Sequence, residues 1–83
     1  MFWVYIIENA EGRFYVGHTD DIERRMRQHN EPMLGLGKYT HKNGPWILAW
    51  FEEHPRRSAA MQRERVIKNW KSAARIRREL LNR

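Results

Sequence analysis

The stretch Trp3–Asn30, WVYIIENAEGRFYVGHTDDIERRMRQHN, decides the fold. Trp3-Val4-Tyr5-Ile6-Ile7 is rich in β-branched and aromatic residues, the composition of a strand. Glu8 to Gly12 is polar and ends in glycine, which marks a turn. Arg13-Phe14-Tyr15-Val16 reads as a second strand, closed by Gly17. Two short strands joined by a short turn make an antiparallel hairpin. A helix follows at once, with Asp20 as its N-cap and Glu23 as the acidic partner of a capping box. Pro32 ends that helix near Asn30.

Working outward, Ile22, Met26 and Met33 form one apolar stripe on this helix. Arg25 and His29 are four residues apart and share a flank. Arg25 is three from Ile22, at the edge of the stripe, whereas Arg24 and Arg27 point outward. Residues 31–45 are loop-like, with Lys38, Tyr39 and Lys42 in a basic, aromatic run. Such a run suits a phosphate backbone and equally suits an ordinary surface loop. Trp46-Ile47-Leu48-Ala49-Trp50-Phe51 is a third strand, and its unbroken apolarity argues for a central strand covered on both faces. Ser58 caps a helix over 59–70, and Ser72 caps a last one over 73–81, anchored by Ile76 and Leu80. The sum is an α+β fold of the α/β class, β-β-α-β-α-α, with three antiparallel strands flanked by helices. Residues 1–83 read as one domain.

The net charge of +6 is uneven. Residues 56–83 hold ten Lys/Arg and two Glu, a local +8, whereas residues 1–55 hold six Lys/Arg and eight Asp/Glu, a local −2. That asymmetry points to an anionic partner, most often nucleic acid, against the plainer reading of a solubilising helix surface. With no cysteine, disulfides and thiolate metal sites are excluded. The apolar runs are too short to span a membrane, and no signal peptide is visible. A soluble, cytoplasmic monomer is the expectation.

From residue type alone, Tyr5 and Tyr15 read as strand packing residues and His29 as a structural histidine. Arg25 is the best candidate for a phosphate clamp, because its planar fork fits two phosphate oxygens. Glu64 shares a mostly apolar helix flank with Ala60 and Ile67, where a carboxylate is costly unless paired. It is either ion-paired, to Arg65, Lys68 or a residue across the core, or a metal ligand. No Gly-rich phosphate loop, zinc spacing or serine triad competes.

Val4-Tyr5-Ile6 and Tyr15-Val16-Gly17, ten residues apart, resemble the paired signatures of the GIY-YIG nucleases. The run Thr19–His29 is similar to that family's next segment. The resemblance covers nearly the whole chain and is closest to small stand-alone bacterial members, related to the nuclease module of UvrC-type excision subunits. Trp3 stands where the first signature glycine would be. Gly17 matches the second signature's structural glycine. The resemblance implies an endonuclease that hydrolyses DNA, in repair or recombination, with Mg²⁺ or Mn²⁺. It implies Tyr5 as general base and Tyr15 as the partner that orients the water or phosphate, with the two able to exchange roles, Arg25 on the scissile phosphate, His29 in proton movement and Glu64 as the metal ligand. Arg24, Lys38, Tyr39, Lys42 and Lys68 are the candidates for backbone contact. His18, beside Gly17, is a weaker candidate near the cleft. RNA as substrate, targeting by a partner protein, a non-catalytic nucleic-acid-binding module and a protein-interaction domain are the alternatives.

Overall fold

The structure, a computed structural model, describes residues 1–31 and 43–83. Met33, Lys38, Tyr39 and Lys42 lie outside the described residues. The described elements are β1 (Phe2–Asn9), β2 (Phe14–Thr19), α1 (Ile22–Asn30), β3 (Trp46–His54), α2 (Arg57–Asn69) and α3 (Ala73–Glu79). Their order is the expected β-β-α-β-α-α.

The sheet is antiparallel throughout, but its order is β2-β1-β3. The central strand is therefore β1, and β3 lies at an edge, contrary to the reading of its apolar run. Alternation explains why β1 can be central. Val4 and Ile6 face one side and pack with Val16, Ala60, Ile67 and Ile76. Tyr5 and Ile7 face the other and pack with Trp46, backed by Tyr15 and Met26. Each fully buried aliphatic chain contributes about 1.5–3 kcal/mol. In β3, Ile47, Leu48 and Phe51 remain exposed.

The hairpin is held by Asn9. Its Oδ1 accepts from the backbone N–H of Glu11 at 3.1 Å and of Arg13 at 2.9 Å. Gly12 takes φ +78°, a turn conformation that favours glycine.

Helix starts differ from expectation in two places. The N-cap of α1 is Asp21, whose side chain accepts from Arg24 N–H at 3.0 Å. Asp20 instead pairs with the Arg24 side chain at 2.7 Å. Two adjacent aspartates offer the same chemistry, and the backbone turns helical only after the second. Before α2, the cap position is Arg56, with no side-chain cap bond, and Ser58 already lies inside the helix. Ser72 does cap α3, accepting from Arg75 N–H at 3.1 Å. At the far end of α1, Asn30 accepts from Trp46 N–H at 2.7 Å and donates to Trp46 C=O at 3.0 Å. That pair of hydrogen bonds fixes the last turn of α1 against β3, and His29 is in that turn.

Candidate active site

Tyr5 is the centre of the site. It sits mid-β1, and the residue is only 1 % exposed. Its cross-strand neighbour on β2 is Gly17. A Cβ added to Gly17 would lie 2.6 Å from the Tyr5 hydroxyl oxygen, closer than real Cβ atoms come. The glycine is thus required because the phenol lies across it. The Tyr5 hydroxyl then reaches His29 Nε2 at 2.7 Å, a buried hydrogen bond between β1 and α1. The Tyr15 ring meets the same imidazole edge-on, with centroids 5.0 Å apart.

Arg25 is one turn back from His29 on α1. Its guanidinium faces the His18 carbonyl at a long 3.5 Å. Its Nε is buried without a hydrogen-bond partner, as is His29 Nδ1. Buried polar groups are normally satisfied, so two orphans in one place mark a site poised for something else.

The electrostatics follow from burial and from this arginine. Burial raises the Tyr5 phenol well above its ordinary value, and the Arg25 charge offsets only part of that. Burial and the Arg25 charge both lower His29, to about 4, so it is neutral at pH 7.

That shift has a consequence for stability. The unfolded chain takes up a proton near 6.5 that folded His29 accepts only near 4. Stability is therefore full above about pH 6.5 and should fall by about 2–4 kcal/mol as pH drops to about 4. His29→Gln should flatten that slope in a series of melting curves between pH 7.5 and 4. An unchanged slope would mean that another group carries it.

Glu64 projects from α2 toward the end of β2. Its Oε1 accepts from His18 Nδ1 at 2.6 Å, and its Oε2 pairs with Lys68 Nζ at 2.7 Å. Burial pushes this carboxyl up, and the hydrogen bonds and charges of Lys68 and His18 more than reverse it, leaving it below its ordinary value. Its negative charge is felt at the Tyr5 phenol, so the two halves of the site are electrostatically joined. Of the partners weighed for Glu64, Lys68 is found; Arg65 is not, and the residue across the core is His18.

The residues fit a divalent cation. Glu64 is a half-buried carboxylate opening on a cleft of about 240 Å³, and it already stabilises a positive charge in the Lys68 ammonium. Among the described residues no cluster of three acidic or histidine ligands exists. Glu64 alone would hold the ion, with water filling most positions, as is common for Mg²⁺. Lys68 competes for the same oxygen. Lys68→Met should tighten Mn²⁺ binding roughly two- to fivefold, since such helix-surface pairs are worth up to about 1 kcal/mol. Glu64→Gln should change metal-free stability by less than about 1 kcal/mol, because both partners are partly solvated. Mn²⁺ should raise the melting temperature of the parent and leave that of the variant unchanged. The same rise in parent and variant would remove Glu64 from the metal site.

The structure thus brings Tyr5, Tyr15, Gly17, Arg25 and His29 to one face of the sheet. It does not bring Arg24 there, because Arg24 is exposed and paired to Asp20, nor Glu64, which is held by His18 on the face where Ala60 and Ile67 of α2 pack against Val16. The contribution of His18 is the feature hardest to read from sequence, since its partner is 46 residues away.

Comparisons with known proteins give the family. The family model described as the GIY-YIG catalytic domain matches residues 1–78. A UPF0213 protein of Haloquadratum walsbyi is 45 % identical over 69 residues, covering 82 % of this chain and 74 % of that one. A UPF0213 protein of Streptococcus sanguinis is 37 % identical over 67 residues, covering 80 % and 74 %. The solution structure of a UPF0213 protein from Bacillus halodurans has 34 % identity and a TM-score of 0.49, covering 83 % of this chain and 72 % of that one. With nearly its whole length matched, this chain belongs to the GIY-YIG family, among its small UPF0213 members.

Proposed function

We propose that this chain is a divalent-metal-dependent endonuclease that hydrolyses DNA phosphodiester bonds. Membership of a nuclease family supports a nucleic-acid substrate. The observation that carries the reading is the buried Tyr5–His29 hydrogen bond with the Arg25 guanidinium beside it.

The chemistry is a relay. A neutral, buried phenol is a poor base alone. Paired with His29, it can take a proton from the attacking water while passing its own to Nε2. His29 is neutral and able to accept it. The Arg25 charge is one cause of the weak basicity of His29, and a phosphate bound to Arg25 would offset it. Substrate binding would therefore lift the part of the lowering that Arg25 causes and make His29 a better acceptor, while burial, the larger cause, keeps it below its ordinary value. Tyr15 orients the imidazole and the water. Arg25 stabilises the charge that builds on the phosphate. Nucleases of this family generally use a divalent metal, and an ion held at Glu64 would neutralise phosphate charge and stabilise the leaving oxygen. Repair or recombination is the cellular setting we favour, in the cytoplasm and as a monomer.

The test is nicking of supercoiled plasmid with Mg²⁺ or Mn²⁺ against EDTA. Metal-dependent nicking supports the reading. Binding without nicking would favour a non-catalytic module, which the near-complete burial of Tyr5 also suits. Arg25→Ala should lower the rate by about 10²–10³. A rate equal to the parent's would make this guanidinium structural.

A further inference from the structure

A second pocket, of about 330 Å³, opens between β2 and the junction of α2 with α3. That is the small end of ligand sites, which run from about 300 to 1,000 Å³. It suits a single ring system and is too small for a duplex. Phe14, Val16, Ile67 and Ile76 give it an apolar floor, and Lys68 and Lys71 stand at its rim. No acidic side chain lines it among the described residues.

Two further observations bear on its occupant. The first is the backbone of Lys71, at φ +50° just past the end of α2. Glycine is usual at such a position, and a side chain there is strained. Strain of this kind gathers where a side chain is needed. The second is Lys68, which lines both this pocket and the Glu64 cleft. A chain phosphate at the Glu64 side and a ring in this pocket would be neighbours.

We propose that the pocket receives one nucleobase turned out of the strand bound at the Tyr5–His29 centre, with Lys71 on the adjoining phosphate. The proposal rests on the nuclease reading and names the substrate class within it. Unpaired nucleotides, in single strands, gaps or flaps, would be preferred over intact duplex, where the base must first be unstacked.

The test uses the whole chain without divalent ion, so that binding is read apart from cleavage. A labelled twelve-nucleotide single strand should bind at least tenfold tighter than the matching duplex. Titration with deoxyadenosine monophosphate should shift the amide signals of Val16, Lys71 and Ala73. Lys71→Gly removes the cation and the strain together, so its melting temperature should rise while the preference falls to threefold or less. Ala73→Trp, at an exposed position on the pocket wall, should do the same by filling the pocket. Nucleotide shifts confined to other residues would overturn the proposal, as would a preference kept by both variants. If the plasmid is not nicked while the nucleotide still fills the pocket, it is the nuclease reading that has failed.

Discussion

Tyr5→Phe is expected to slow cleavage by about 10²–10⁴ while the protein still folds. Only one oxygen is removed, and the ring keeps its place over Gly17. What is lost is the hydroxyl bonded to His29 Nε2, which in the proposed relay takes the proton of the attacking water. His29 is then left buried with neither ring nitrogen bonded to protein, which costs about 1–3 kcal/mol. A domain with about 5–15 kcal/mol of stability survives that. Circular dichroism establishes the fold, and single-turnover nicking gives the rate. Tyr15→Phe is the comparison: it keeps the ring that meets the imidazole and removes only the hydroxyl proposed to orient the water, so it should slow cleavage less than Tyr5→Phe. If Tyr5→Phe cuts as fast as the parent, the phenol is packing and the relay is wrong.

Gly17→Ala should be equally damaging by a different route. The added methyl would stand 2.6 Å from the Tyr5 hydroxyl and 2.8 Å from Cζ. Something must move, and the backbone on either side is locked in the β1–β2 ladder. The phenol is what gives way, and its bond to His29 goes with it. Displacing the base should slow the reaction as much as deleting it, by about 10²–10⁴. Overpacking adds about 1–3 kcal/mol of destabilisation. Melting curves and rates on one preparation would show both losses. Parent-like values in either would mean that the strands flex more than their pairing suggests.

The hairpin, the helix after it and the element order were legible in the sequence, because each rests on local signals. Turn residues, a capping aspartate and a proline act over a few positions. The place of β3 was not legible. Leu48 faces Ile7 and Trp50 faces Ile6, with a register shift between them, so Ala49 is an extra residue. That irregularity breaks the period-two pattern and lets an edge strand present apolar residues in succession. Trp46 and Trp50 pack on opposite faces of the sheet, and nothing in WILAWF marks the shift. In the site, spacing put Arg25 and His29 on one flank of α1, and only the resemblance to the nuclease family joined them to Tyr5 and Tyr15. The bond between His18 and Glu64 was not legible, because it depends on how α2 lies across β2. The direction of the Tyr5 shift was also hidden, since charge can be counted in a sequence and burial cannot.

The position of Tyr5 on the central strand also bears on hydrogen exchange. Val4–Ile7 are paired on both sides and covered on both faces. Amides held in this way are released only when the whole domain opens. The Tyr5 phenol, the base of the proposed relay, therefore hangs from the slowest-exchanging part of the molecule and cannot be loosened separately from the fold. Adjustment to a substrate must come from α1, α2 and the segments around them. Protection factors in β1 should then equal the global unfolding free energy, and bound nucleic acid should slow exchange there by the full stabilisation it gives the fold.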